Sequence, residues 1–132
     1  MNEKPTPTVW PTLRYDDASA ALTFLTGVFG FREALVVRDD DGDIVHAELR
    51  WPEGGAVMFG TCKATDGPHA QMKAGVGAVY VVTEDVDGLH ERVHGAAEIA
   101  GPLRDTDYGS RDFTVRDPEG NLWTFGDYRG AP

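Results

Sequence analysis

The chain has 132 residues, of which 41% are hydrophobic and 26% charged, the proportions of one compact globular domain with a sizeable core. A net charge of −10 argues against a nucleic-acid backbone or an anionic membrane as partner, since both would be repelled, and is compatible with a cationic ligand or with simple solubility. No apolar run approaches the roughly 20 residues needed to span a bilayer.

Residues 1–7 lack an apolar stretch of the secretory-signal kind and read as a flexible tail. Thr8 to Tyr15 alternates as a strand. Asp16 or Asp17 then caps a helix, because a short side-chain oxygen satisfies the first free backbone N–H groups. Ala18, Ala21, Leu22, Leu25 and Phe29 form its apolar stripe, and Gly27 and Gly30 mark its end. Three strands follow, Phe31–Arg38, Ile44–Trp51 and Ala56–Thr61, separated by the turns Asp39–Asp43 and Pro52–Gly55. Cys62 is the only cysteine, so no internal disulfide forms and a reducing cytoplasm is the natural setting. Residues 62–75 read as a flexible crossover.

The same order then repeats. Val76–Thr83 is an apolar strand, Asp85 caps a helix Val86–His94 with the stripe Val86, Leu89 and Val93, and Gly95 ends it. Ala97–Gly101 is a short strand and Pro102–Gly109 a spacer. Two patterns on the way are read as decoys. His90-Glu91-Arg92-Val93-His94 matches a zinc-protease motif, but its helix stops at Gly95 and no third ligand sits at a usual spacing. Asp39–Asp43 is acidic like a calcium loop, but Val37 stands where the first ligand belongs.

The chain closes with a strand at Ser110–Arg116, the turn Asp117-Pro118-Glu119-Gly120-Asn121 and an aromatic strand at Leu122–Tyr128. This hairpin resembles the C-terminal hairpin of the glyoxalase, bleomycin-resistance and extradiol dioxygenase group, the vicinal oxygen chelate superfamily. The resemblance implies an α+β fold of two tandem βαβββ units, each a curved mixed sheet with a helix on its convex face and a cup-shaped cavity on its concave face. It places one domain at 8–128, with units at 8–61 and 76–128 and a tail at 129–132. It also implies a homodimer, in which the crossover can let two chains exchange halves.

Metalloenzymes of the superfamily hold their ion with four side chains. Those positions fall here on Trp10, Phe59, Ala78 and Thr124. Trp, Phe and Ala offer no lone pair to a divalent ion and Thr is a poor ligand, so neither metal nor other cofactor is expected. If those positions face the cup, strand alternation brings Trp10, Thr12, Arg14, Val57, Phe59, Ala78, Tyr80, Val82, Leu122 and Thr124 with them. Ile44, His46, Glu48 and Arg50 join from the third strand, and Arg111, Phe113 and Val115 from the seventh. The resulting ligand site is Trp10, Thr12, His46, Glu48, Phe59, Tyr80, Arg111, Phe113, Leu122 and Thr124: apolar walls with a few orienting groups. Aromatic faces can hold a planar or cationic ligand.

Two functions are therefore in view. One is a metal-free protein of the bleomycin-resistance type, which sequesters a small hydrophobic or aromatic drug or natural product; Trp10→Ala or Phe59→Ala should then weaken binding and spare the fold. The other is an enzyme, either metal-independent with His46, Glu48 or Tyr80 as acid or base, or a metal-dependent lyase or dioxygenase like others in the superfamily.

Overall fold

The computed structural model describes residues 6–63 and 68–132. The chain forms two compact units, Met1–Gly75 and Val76–Pro132. Part of the expected tail at 1–7 and of the crossover at 62–75 lies outside the described residues. Among those described, no helix is long and apolar enough to cross a membrane.

The first unit runs β1 (Thr12–Tyr15), α1 (Ala18–Phe24), β2 (Arg32–Arg38), β3 (Ile44–Arg50) and β4 (Ala56–Thr61). Its strands form a mixed sheet in the order β1-β4-β3-β2, with β1 parallel to β4. Asp17 caps α1 by accepting from the Ala20 amide at 3.0 Å, which satisfies a donor that the helix itself cannot. A π-helical turn, Leu25–Phe29, extends the helix, so Gly27 lies inside it and only Gly30 (φ 92°) ends it. The added turn keeps Ala18, Ala21, Leu25 and Phe29 on one buried stripe, while Leu22 is only half-buried. β1 begins at Thr12 rather than Thr8. A 3₁₀ turn at Pro68–Gln71 completes the unit.

The second unit runs β5 (Ala78–Val82), α2 (Val86–Val93), β6 (Glu98–Asp105), β7 (Arg111–Arg116) and β8 (Leu122–Gly126), with the equivalent order β5-β8-β7-β6. Asp85 caps α2 through the Gly88 amide at 3.0 Å, and Val86, Leu89 and Val93 are buried as the 3.6-residue period requires. β6 passes through Pro102, where the sequence suggested a spacer. It is an edge strand with register shifts on either side of Gly101, and an edge or bulge is where a residue without an N–H is tolerated. The α+β architecture of two βαβββ units is thus the one the hairpin resemblance implied.

Register fixes which face of each sheet meets its helix, since residues paired across strands share a face. Leu13 and Ala47 both pair with Phe59. All three are buried, and α1 packs on β1 and β4. In the second unit Val81 and Phe113 both pair with Phe125, and His90 of α2 meets the Phe113 ring edge-on at 5.0 Å. These rows are the cores. The opposite, open faces carry the candidate site.

Candidate functional site

On the open face of the first unit, one row across the strands is Leu35, Glu48, Met58 and Thr12. A second places Val37 beside His46, and Arg14 beside Gly60. Between them lies a pocket of about 420 Å³ bordered by Thr12, Arg14, His46, Met58, Gly60 and His69. His46 Nε2 and Glu48 Oε2 are 2.7 Å apart, which orients the imidazole at the pocket wall. Arg14 donates Nη2 to the Thr61 carbonyl at 3.1 Å, and its buried Nε has no hydrogen-bond partner among the described residues. Trp10 precedes β1. Its indole N–H donates to the Pro7 carbonyl at 3.0 Å, and the Arg50 guanidinium lies 5.6 Å from its ring centre.

On the open face of the second unit, Thr114, Thr124 and Tyr80 pair in one row. The Thr114 and Thr124 hydroxyls share a 2.8 Å hydrogen bond. Ala78 pairs with Leu122 in the next row. Asp112 is buried and accepts from Arg104 Nε at 2.9 Å. The Tyr80 hydroxyl crosses Gly126 so closely that a Cβ there would collide with it. It accepts from the Tyr128 amide at 3.1 Å. Burial pushes the Tyr80 phenol up from its ordinary pKa, partly opposed by that amide bond. The group therefore stays protonated near neutrality and can donate a proton in a hydrogen bond, but it is no general base.

Trp10 lies beside Arg50, and Thr12, His46, Glu48, Tyr80, Leu122 and Thr124 thus stand on the open faces. Three expected site residues do not. Phe59 borders the pocket, but its ring is 1% exposed and meets Tyr15 edge-on at 5.4 Å in the helix-packed core. Phe113 is equally buried under α2. Arg111 is held on that same side by Asp87 of α2 at 2.7 Å and by Asp105 at 2.8 Å; these partners keep its guanidinium pKa raised. Val57 and Ile44 are likewise core. Sequence reasoning passed over Met58, which has the open-face place given to Phe59, and His69, which comes from a 3₁₀ turn without strand periodicity.

Moving the second metal-ligand position from Phe59 to Met58 makes the two units agree. Trp10 and Ala78 then stand at matching places, as do Met58 and Thr124. The donor chemistry does not suit a hard divalent ion in either unit: an indole already bonded and a thioether in the first, a methyl and a shared hydroxyl in the second. Among the described residues, carboxylates converge as a metal site would require only at Asp39, Asp41 and Asp43. Lys63 Nζ contacts Asp39 at 2.5 Å and Asp43 at 2.7 Å there. It draws the Asp39 carboxyl below its ordinary range and is itself pushed up.

Comparison with known proteins gives a consistent picture. The family model described as the Glyoxalase/Bleomycin resistance protein/Dioxygenase superfamily matches residues 8–125. TioX from Micromonospora sp. ML1 is 34% identical, with a TM-score of 0.78 over 92% of this chain and 98% of that one. Lactoylglutathione lyase from Agrobacterium tumefaciens is 21% identical, with a TM-score of 0.69 over 93% and 94% of the two chains, a likeness of fold alone. The uncharacterised protein Rv0887c of Mycobacterium tuberculosis is 27% identical over 91% of this chain and 74% of its own.

Proposed function

The chain belongs to the glyoxalase/bleomycin resistance protein/dioxygenase superfamily, and from that premise we propose that it is a small-molecule binding protein of the bleomycin-resistance type. It holds a drug or natural product rather than transforming it. The observation that carries this reading is the 420 Å³ pocket on the first unit, walled by Met58 and Thr12 and edged by polar groups. Pockets of that size with apolar walls and a few orienting groups suit small organic ligands. The protein acts as a homodimer in a reducing cytoplasm in this reading, and light scattering on the purified chain tests the oligomeric part.

Fluorescence titration of the protein with a panel of planar aromatic compounds tests the function. Saturable binding at one compound per chain, with the compound recovered unaltered by mass spectrometry, is the expected outcome. A compound recovered chemically changed, faster than in a protein-free blank, would sink it.

One observation favours a second reading. His46 and Glu48 form a 2.7 Å pair at the pocket wall, the arrangement of a general base with its orienting carboxylate. In that case turnover has a bell-shaped pH dependence, and His46→Ala abolishes both the turnover and the profile.

A further inference from the structure

We propose that the pocket on the first unit receives an oxyanion, and that the ligand of this protein is a small aromatic or apolar acid bound through its carboxylate. The proposal rests on the binding reading above and names the ligand class of that site.

Three observations lead to it. The first is the balance of charge and hydrogen-bond donors at the face. Arg14, His46 and His69 border the pocket. Arg50 and Arg32 lie further along the sheet, Arg50 over Trp10, and are not part of the pocket. Glu48 is bonded to His46, and Asp39, Asp41 and Asp43 gather around Lys63 at the turn that leads into β3. The pocket edge of a chain of net charge −10 is thus lined chiefly by groups that can donate hydrogen bonds, a guanidinium and two imidazoles.

The second is Arg14 itself. A guanidinium has five N–H donors in a planar fork. One nitrogen of Arg14 serves the Thr61 carbonyl, while its Nε is buried without a hydrogen-bond partner among the described residues. Arg14 nonetheless borders the pocket, and a carboxylate is the acceptor best suited to guanidinium donors not used by the Thr61 bond. The third is the wall. Met58 and Thr12 give the pocket a flexible apolar side opposite those donors, where the ring or chain of an acid can lie.

The same face is absent from the second unit. Val82 stands where the first unit has Arg14, and Asp112, bound to Arg104, stands where it has His46. The charge of the pocket is a property of one unit alone, not of the fold.

The test uses three probes of one shape and three charges: 2-naphthoate, 2-naphthamide and 2-naphthamidine. Each is titrated into the ¹⁵N-labelled full chain, and shifts of the Thr12, Gly60 and His69 amides are followed. The expected result is saturable shifting by 2-naphthoate, at least about tenfold tighter than by the amide, and at least about tenfold weaker in Arg14→Gln, where tenfold corresponds to about 1.4 kcal/mol. Equal affinity for acid and amide overturns the proposal even if Arg14→Gln fails to fold. So does unchanged naphthoate affinity in a folded Arg14→Gln. Binding of the amide or the amidinium alone at those amides sinks the acid but keeps the binding function. No shift at those amides with any probe overturns the assignment of this pocket as the binding site.

Discussion

Residues 50–61 and 116–127 take the same path through the two units. Each starts from an arginine, turns on Pro-Glu-Gly and ends in a strand that carries Phe-Gly. In both turns the first residue donates its amide to the fifth residue's carbonyl, at 3.0 Å from Trp51 to Gly55 and 2.9 Å from Asp117 to Asn121. The fillings differ. Trp51 holds the first turn by packing its indole on Phe31 at 4.9 Å. Asp117 holds the second as a buried acceptor for the Glu119 and Asn121 amides, the Asn121 side chain and the Trp123 indole N–H, each at 3.0 Å. Apolar packing and a hydrogen-bonded carboxylate are thus interchangeable supports for one backbone. The open faces differ in the same way. Tyr80 covers Gly126 in the second unit, whereas Thr12, its counterpart by register, leaves the space beside Gly60 as pocket.

The comparison can be broken first at the cores. Phe59→Ala should cost about 4 kcal/mol in urea unfolding, as should its counterpart Phe125→Ala, the usual range for emptying a buried aromatic site. A Phe59→Ala protein of normal stability would undo the assigned register. Asp117→Ala should follow at about 3 kcal/mol, because it strands buried donors. Asp117→Asn should recover part of that loss, since it keeps an oxygen acceptor; no recovery means that the charge rather than the geometry supports the turn. Thr12→Tyr copies the second unit into the first. It should change stability by less than about 1 kcal/mol while lowering ligand affinity at least about tenfold by filling the pocket.

The smallest effect is expected at the Asp39 turn, which the second unit lacks. Asp39 has a depressed pKa because Lys63 bonds to it, so its contribution to stability is present above the ordinary carboxylate range and is lost as pH falls through the depressed value. Lys63→Gln should therefore lower the melting temperature slightly at pH 7 in low salt, and the difference should fade in acid or in 1 M salt. A difference that survives both would mean that Lys63 acts through packing.

Much of the frame was legible because its signals are local. Asp17 and Asp85 cap helices by reaching three residues along the chain, and Val86, Leu89 and Val93 mark one helical face. The bounds of β4 follow from Gly55 before it and Cys62 after it. Its facing did not, because Ala56-Val57-Met58-Phe59 is apolar on both sides and alternation has no contrast to read. β7 misled in another way: Arg111 shares a face with Phe113 and Val115, and its partners Asp105, across the hairpin, and Asp87, on α2, make the cationic residue acceptable there. His69 reaches the pocket from outside any periodic element. The pocket could be foreseen as polar at Arg14, His46 and Glu48, but the bond from Arg14 to the Thr61 carbonyl could not, because it arises from the parallel pairing of strands far apart in sequence.

That pairing also sets an order of events. β2, β3 and β4 are joined by short hairpins, but β1 reaches β4 across a long span, Thr61 standing 47 positions along the chain from the Arg14 that it binds. Closing so long a loop is entropically slow, while hairpins close early. β1 should be the last strand of its unit to dock and the first to leave. The Met58 amide, bonded to the Pro11 carbonyl, should then exchange its hydrogen sooner than the β3 amides. Because Thr12 and Arg14 ride on that strand, a bound ligand protects against its departure, and hydrogen exchange at Met58 becomes a gauge of occupancy.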